Sequence, residues 1–178
     1  MDAAKLGTLH HQFLQRMSLA GSCDLPDLQQ QLSAMVEQRR FSAEAAAALD
    51  LKSVATFWAG EVGQKILGQR ARIRREVPFT ARFSPLELEK ITGAPMMPEL
   101  ADEFVVVQGV ADLLVVDEAE LWLLDFKTDD VRKEDLSAKL ELYRPQLGLY
   151  AAALEAIHRK PVRHRWLHFL KCGETVVV

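Results

Sequence analysis

Val110-Ala111-Asp112-Leu113-Leu114, followed shortly by Leu121-Trp122-Leu123-Leu124-Asp125-Phe126-Lys127-Thr128, decides how this chain reads. Both stretches are apolar and rich in strand-forming residues, as buried strands are. The acidic Asp117-Glu118-Ala119-Glu120 between them suits a hairpin turn. Three charged side chains interrupt the apolar runs. A buried charge is costly unless a metal, a counter-charge or hydrogen bonds compensate it. Asp125 and Lys127 flank Phe126, so on a strand both point to one face. The hairpin brings Asp112 beside them, and the pattern becomes Asp … Asp-x-Lys.

Outward from this hairpin the chain changes character. Leu6, Leu9, Phe13, Leu14 and Met17 recur at helical spacing and predict a helix over 7–20, ended by Gly21-Ser22. Asp24 or Asp27 is placed to cap a second helix through Leu28, Leu32, Met35 and Val36. Ser42 precedes an alanine-rich helix over 43–49, and Val54, Phe57, Trp58, Val62 and Ile66 predict one helix over 50–67. From Arg70 the pattern turns to strands. Arg72–Thr80 alternates, with Ile73 and Val77 on one face and Arg72, Arg74 and Glu76 on the other. Pro85, Pro95 and Pro98 predict an irregular connection through Glu99. Phe104–Val107 and Val110–Val116 read as strands. Helices are expected over 131–142 and over 145–157, with Pro145 in a first turn. Trp166–Leu170 and Thr175–Val178 supply late strands. The reading is an α/β or α+β domain with a helical N-terminal portion.

Composition narrows the class without naming a partner. The 178 residues fit one domain, and 49% hydrophobic with 26% charged residues is ordinary for a globular protein. No run approaches the ~18 apolar residues of a membrane helix, and the first residues lack a signal-peptide pattern. Cys23 and Cys172 stand far apart, outside any C-x-x-C motif, which points to a reducing compartment and the cytoplasm. The net charge of −3 does not advertise a nucleic-acid binder. Two basic runs go the other way: Arg70, Arg72, Arg74, Arg75, and His158, Arg159, Lys160, Arg163, His164, Arg165. Each reads equally as a binding face or a solvated surface.

The acidic cluster has a specific chemistry available to it. Hydrolysing a phosphodiester requires neutralising the phosphate, activating water and stabilising the leaving oxygen. Hard cations such as Mg²⁺ or Mn²⁺ do this and prefer oxygen ligands. Asp112 and Asp125 are suitable anionic ligands, the Phe126 carbonyl lies between Asp125 and Lys127, and the Lys127 charge suits developing negative charge. The alternative on spacing alone is a structural ion pair of Lys127 with either aspartate.

Further residues, in order, carry a resemblance. They are Gly7-Thr8-Leu9-His10-His11-Gln12-Phe13-Leu14-Gln15, Arg75-Glu76-Val77-Pro78-Phe79, Gly109-Val110-Ala111-Asp112, Leu124-Asp125-Phe126-Lys127-Thr128-Asp129 and Tyr143-Arg144-Pro145-Gln146-Leu147-Gly148-Leu149-Tyr150. Together they resemble the RecB-like nuclease domain of the PD-(D/E)XK superfamily, in particular the C-terminal nuclease domain of AddA-type helicase–nuclease subunits. The resemblance spans most of the chain, but the stretch from Cys23 to Leu67 contributes no motif. It implies a restriction-endonuclease-like fold: a mixed central sheet flanked by helices, in one nuclease domain over 1–178. Residues 1–69 would be the helical portion with the histidine motif, and 70–178 the catalytic core.

Carried over by position, the resemblance makes His11 a metal-ligating histidine, with His10 its off-register neighbour. Asp112 and Asp125 become the metal-binding aspartates, and Lys127 the catalytic lysine. Glu76 becomes an acidic residue that positions metal or water, and Gln146 and Tyr150 a DNA-contacting pair. Read from the residues alone, a lone histidine such as His11 is more often a packing or surface side chain than a ligand, and only the motif context reverses that. Tyr150 is equally a core aromatic, and Glu76 shares a predicted face with Arg72 and Arg74 and is as suited to pair with them. Gln146 and Tyr150 do share one helical face.

Phe126 stands where the family commonly has tyrosine; only its carbonyl would be used. No G-x-x-x-x-G-K-[ST] phosphate loop is present, so the resemblance implies either a domain of a larger helicase–nuclease or a stand-alone nuclease. Four-cysteine iron–sulfur relatives are not matched. The implied function is a Mg²⁺- or Mn²⁺-dependent DNA exonuclease acting on single strands fed by a helicase during double-strand-break repair and recombination. It would be bacterial, cytoplasmic and nucleoid-associated when acting on DNA, with no membrane and with one further partner, a second nuclease subunit. The alternative from another class is a non-catalytic DNA-binding or scaffolding domain of the same fold. Asp112 and Asp125 are expected to share a metal with His11 rather than pair with Lys127.

Overall fold

Capping residues divide the first third of the chain into five helices. The computed structural model describes residues 2–95 and 103–178. Helix α1 spans Ala3–Arg16, and the Asp2 carboxylate caps it by accepting from the Lys5 N–H. Asp24 caps α2 (Leu25–Glu37) by accepting from the Asp27 N–H, and Ser42 caps α3 (Ala43–Ala48) in the same way. The expected single helix over 50–67 is instead two, α4 (Leu51–Ala59) and α5 (Glu61–Leu67). Gly60 breaks it with an extended ψ of 167°. A Cβ on Gly63 would collide with the Phe57 carbonyl and the Trp58 backbone, so the tight bend requires glycine there.

Strand β1 covers Ile73–Phe83, β2 Val105–Val116, β3 Leu121–Lys127, β4 Val162–Phe169 and β5 Glu174–Val177. The two short strands expected in 104–116 are one continuous strand. Helix α6 (Pro85–Thr92) occupies what was expected to be an irregular connection. Ser84 and Glu87 form a reciprocal capping box, Pro85 takes the first turn, and Gly93 ends the helix at φ +71°. Pro98 and Glu99, part of that expectation, lie outside the described residues. Likewise the two helices expected around Pro145 are one, α7 (Leu136–His158). Proline removes one helical hydrogen bond, but long flanking turns on both sides carry the helix through it.

The sheet order is β1-β2-β3-β4-β5. β2 and β3 are antiparallel, with Leu113 opposite Leu124 and Val116 opposite Leu121, and the Asp117 N–H donates to the Glu120 carbonyl at 3.0 Å in the turn. β3 and β4 run in the same direction. Leu121 N–H bonds the Pro161 carbonyl at their beginnings, and Leu170 N–H bonds the Lys127 carbonyl at their ends. Along β1 and β2 the contacts run oppositely: Thr80 meets Gln108, Phe79 meets Gly109 and Glu76 meets Asp112. The sheet is therefore mixed, as expected.

Two compact units can be distinguished. The first takes the chain up to Ile73 with Phe126–Val131 and His168–Thr175; the second holds Arg74–Asp125, Arg132–Leu167 and Val176–Val178. Phe13, Leu28, Val54, Trp58, Ile66 and Phe169 are core residues of the first. Leu113, Leu114, Leu123, Leu124, Leu147 and Leu154 are core residues of the second. No described helix is long and apolar enough to cross a membrane.

Candidate active site

In the second unit, strand register assembles carboxylates. The β2–β3 ladder pairs Leu113 with Leu124, and its next step sets Asp112 opposite Asp125. Opposed residues of an antiparallel pair point to one face. Asp125 is buried at 5% exposure and Asp112 is half-buried. On the other side of β2, a Glu76 carboxylate oxygen of β1 comes within 4.8 Å of one from Asp112. Three acidic residues thus form a row across β1, β2 and β3.

Glu76 reaches this place through an unusual backbone. Its φ is +50°, a conformation that costs a non-glycine residue on the order of 1–3 kcal/mol and persists only where surroundings enforce it. Alternation of the strand had grouped Glu76 with Arg72 and Arg74. The carboxylate lies beside that of Asp112.

Gln146 and Tyr150 lie on the opposite side of β2 from Asp112. Gln146 Nε2 donates to the Tyr150 hydroxyl at 3.1 Å. The Tyr150 ring meets Phe79 edge-on, centroids 4.8 Å apart. Both rings rest on Gly109, where a Cβ would come 2.5 Å from Phe79 and 3.0 Å from Tyr150. Tyr150 is therefore at once a half-buried packing aromatic and the partner of Gln146. The bare backbone of Gly109 admits both rings three residues before Asp112. Its sequence signal was a lone glycine inside an apolar strand.

In the first unit, β3 ends at Lys127, which is half-buried; Phe126 before it is buried, its ring edge-on to Phe57 at 5.0 Å. Helix α1 packs against the residue after Lys127. A Cβ on Gly7 would come 2.7 Å from Thr128 Oγ1, so helix and strand end approach as glycine alone allows. His10, not His11, is the buried histidine of α1. Its Nε2 accepts from the Asp50 N–H at 3.1 Å, so the proton sits on Nδ1, which lies 2.9 Å from the Leu6 carbonyl. Burial works against ionisation of Asp50, but hydrogen bonds from Ser53, the nearby His10 and the Lys52 N–H together hold its pKa below the usual value. His11 is half-buried on the same helix.

The basic runs prove partly structural. Arg70 clamps the loop after α1, donating to the carbonyls of Leu19 at 2.6 Å and Gly21 at 3.2 Å. Lys160 donates to the Asp117 carbonyl at 2.8 Å, and His164 stacks on Trp166 with centroids 5.1 Å apart.

Comparison with known proteins agrees with the geometry. The family model described as the PD-(D/E)XK nuclease superfamily matches residues 1–175. The A-type subunit of the ATP-dependent helicase/nuclease of Moorella thermoacetica is 35% identical over 97% of this chain and 12% of its own length. The protein of the same name from Carboxydothermus hydrogenoformans is 34% identical over 99% of this chain and 15% of its own length. That of Bacillus licheniformis is 31% identical over 99% and 14%. The chain thus spans 12–15% of the length of these relatives.

Proposed function

The chain belongs to the PD-(D/E)XK nuclease superfamily, and from that premise we propose a divalent-metal-dependent deoxyribonuclease module. In this reading it is an exonuclease that hydrolyses single-stranded DNA fed by a linked helicase during double-strand-break repair and recombination. Its proposed partners, in the cytoplasm and at the nucleoid, are a helicase domain of the same parent chain and a second nuclease subunit. The observation that carries the reading is the carboxylate row, with Glu76 and Asp112 oxygens within 4.8 Å and Asp125 next in line.

Such a row fits a hard cation, because carboxylate oxygens are the donors that Mg²⁺ and Mn²⁺ prefer. Asp112 and Asp125 would hold it, with the Phe126 carbonyl and His11 as further ligands. A cation there supplies positive charge to the phosphate and acidity to a water. Lys127 places a second positive charge where negative charge develops on the phosphate oxygens. Glu76 accepts a hydrogen bond from the attacking water and orients it. The resemblance assigns DNA contact to Gln146 and Tyr150 as well, from the other face of β2.

The test is incubation with end-labelled single- and double-stranded DNA and Mg²⁺ or Mn²⁺, beside Asp125→Ala and Lys127→Ala proteins. Metal-dependent cleavage is expected from the unaltered protein, faster on single strands. Loss of one charged stabiliser such as Lys127 should cost roughly 10²–10³-fold in rate. Absence of cleavage, or equal cleavage by the variants, would refute the proposal.

A further inference from the structure

The β1–β2 ribbon has two unlike faces. Odd-numbered residues such as Phe79, Phe83, Gly109 and Ala111 turn inward, where Phe79 and Tyr150 pack on Gly109. The even face stays open. On β1 it carries Pro78, Thr80 and Arg82, all exposed. On β2 it carries Val106, Gln108 and Val110, the two valines 52% and 43% exposed. Gln108 Nε2 lies 3.4 Å from Thr80 Oγ1, which confirms that both strands share this face. Phe104 stands at the far end, 55% exposed, with the Arg82 guanidinium over its ring at 4.9 Å. Glu76 and Asp112 continue the same even series at the near end. From Asp112 to Val106 the strand runs about 20 Å at ~3.3 Å per residue.

Exposed apolar side chains grouped in this way mark a binding surface rather than an ordinary solvated one. Continuity with the carboxylate row indicates the occupant, since a phosphodiester held at Asp112 must lead its neighbouring nucleotides somewhere. The side chains indicate its form. A duplex presents phosphates and calls for a row of cations. Between the carboxylates and Phe104, the cation among the described residues of this face is Arg82. Valine and proline surfaces, two hydrogen-bonding side chains and one aromatic with a guanidinium instead suit unpaired bases and sugars, with stacking in place of charge.

We infer that the open face of the β1–β2 ribbon is the track for a single nucleic-acid strand, its bases laid on Val110, Val106 and Phe104 and its path ending at Glu76 and Asp112. This inference rests on the nuclease reading of the carboxylates, and its test is kept apart from catalysis. Binding of fluorescent single-stranded and duplex oligonucleotides is measured by anisotropy in the Asp112→Asn protein without added metal, so that nothing is cut and one carboxylate charge is gone. Adding Phe104→Ala and Val106→Ser should weaken single-strand binding about tenfold or more, the effect of losing a stacking platform. Leu142→Ser, at a still more exposed apolar residue of α7, should leave it unchanged. Salt dependence should be shallow, with a log–log slope of about −0.7 for one phosphate contact. A strand carrying photoreactive thymines should cross-link to β1 and β2. Unchanged affinity in the ribbon variants, an equal loss in Leu142→Ser, or cross-links only elsewhere would overturn the inference. Failure of the unaltered protein to cleave DNA with Mg²⁺ would refute the catalytic reading alone.

Discussion

Glu76 and Asp112, on neighbouring antiparallel strands, bring carboxylate oxygens to within 4.8 Å of each other. Oxygen donors this close gain from a shared cation, and a ligand that binds only the folded state stabilises it by mass action. Saturating Mn²⁺, at about a hundred times its dissociation constant, should add roughly 2.7 kcal/mol. For a chain of this length that is a rise in Tm of about 5–10 °C. Asp112→Asn should abolish most of the rise, and Asp125→Asn likewise. Differential scanning fluorimetry with and without Mn²⁺ decides it, and an unchanged rise in both variants would mean that the row holds no metal.

Gly109 is constrained by two rings rather than by its own dihedral angles. A methyl group there would meet Phe79 at 2.5 Å and Tyr150 at 3.0 Å, and Phe79 is buried with little room to move. Gly109→Ala should cost about 1–3 kcal/mol, the usual penalty of overpacking. Phe79→Leu in the same chain should return part of it. A double-mutant cycle by urea unfolding measures that coupling, and additive losses would show that the rings are not what glycine accommodates.

The sequence made the strands around Asp112 and Asp125 legible because each is apolar along its length except at one charge. Once the hairpin turn was recognised, their pairing followed. Glu76 was less legible, since period-two alternation cannot anticipate a φ of +50°. Helix boundaries went astray where one residue overrides a periodic pattern. Gly60 split a well-patterned helix, whereas Pro145 failed to split another. Ser84 and Glu87 spelled a capping box that the nearby prolines obscured. The adjacent histidines illustrate the same limit: nothing local to His10-His11 reveals that the first is buried against Asp50, forty residues away in sequence.

That pair yields contrasting expectations. Both ring nitrogens of His10 are engaged, and removing the ring leaves the Asp50 N–H without its acceptor. His10→Leu should therefore cost about 1–3 kcal/mol of stability, and His10→Gln less, because its amide oxygen can replace Nε2. His11→Gln should instead change Mn²⁺ affinity and cleavage more than unfolding. Urea titrations of the three variants, with Mn²⁺ titrations alongside, separate the roles. A His11 variant as destabilised as His10→Leu would make both histidines structural.

His168 links stability to pH. It is 1% exposed, with Phe57 at 4.5 Å and Phe126 at 6.0 Å between ring centroids. Nδ1 bonds Thr175 Oγ1 at 2.8 Å, and Nε2 is buried with no hydrogen-bond partner among the described residues. Burial lowers its pKa from 6.5 to about 4, against the opposing pull of the Glu174 charge. The unfolded chain takes up this proton near pH 6.5, but the folded protein does so only near pH 4. Between those values the unfolded state binds more protons, so stability falls as pH drops from about 6.5 towards 4 and is unaffected by this group above that window. The full effect is on the order of 3 kcal/mol. His168→Leu loses the Thr175 bond and is weaker at pH 7, but its stability should fall less on acidification. Comparing urea unfolding at pH 7 and pH 4.5, the drop should be about 2–3 kcal/mol smaller in the variant. An equal drop in both proteins would place the acid sensitivity in the carboxylates instead.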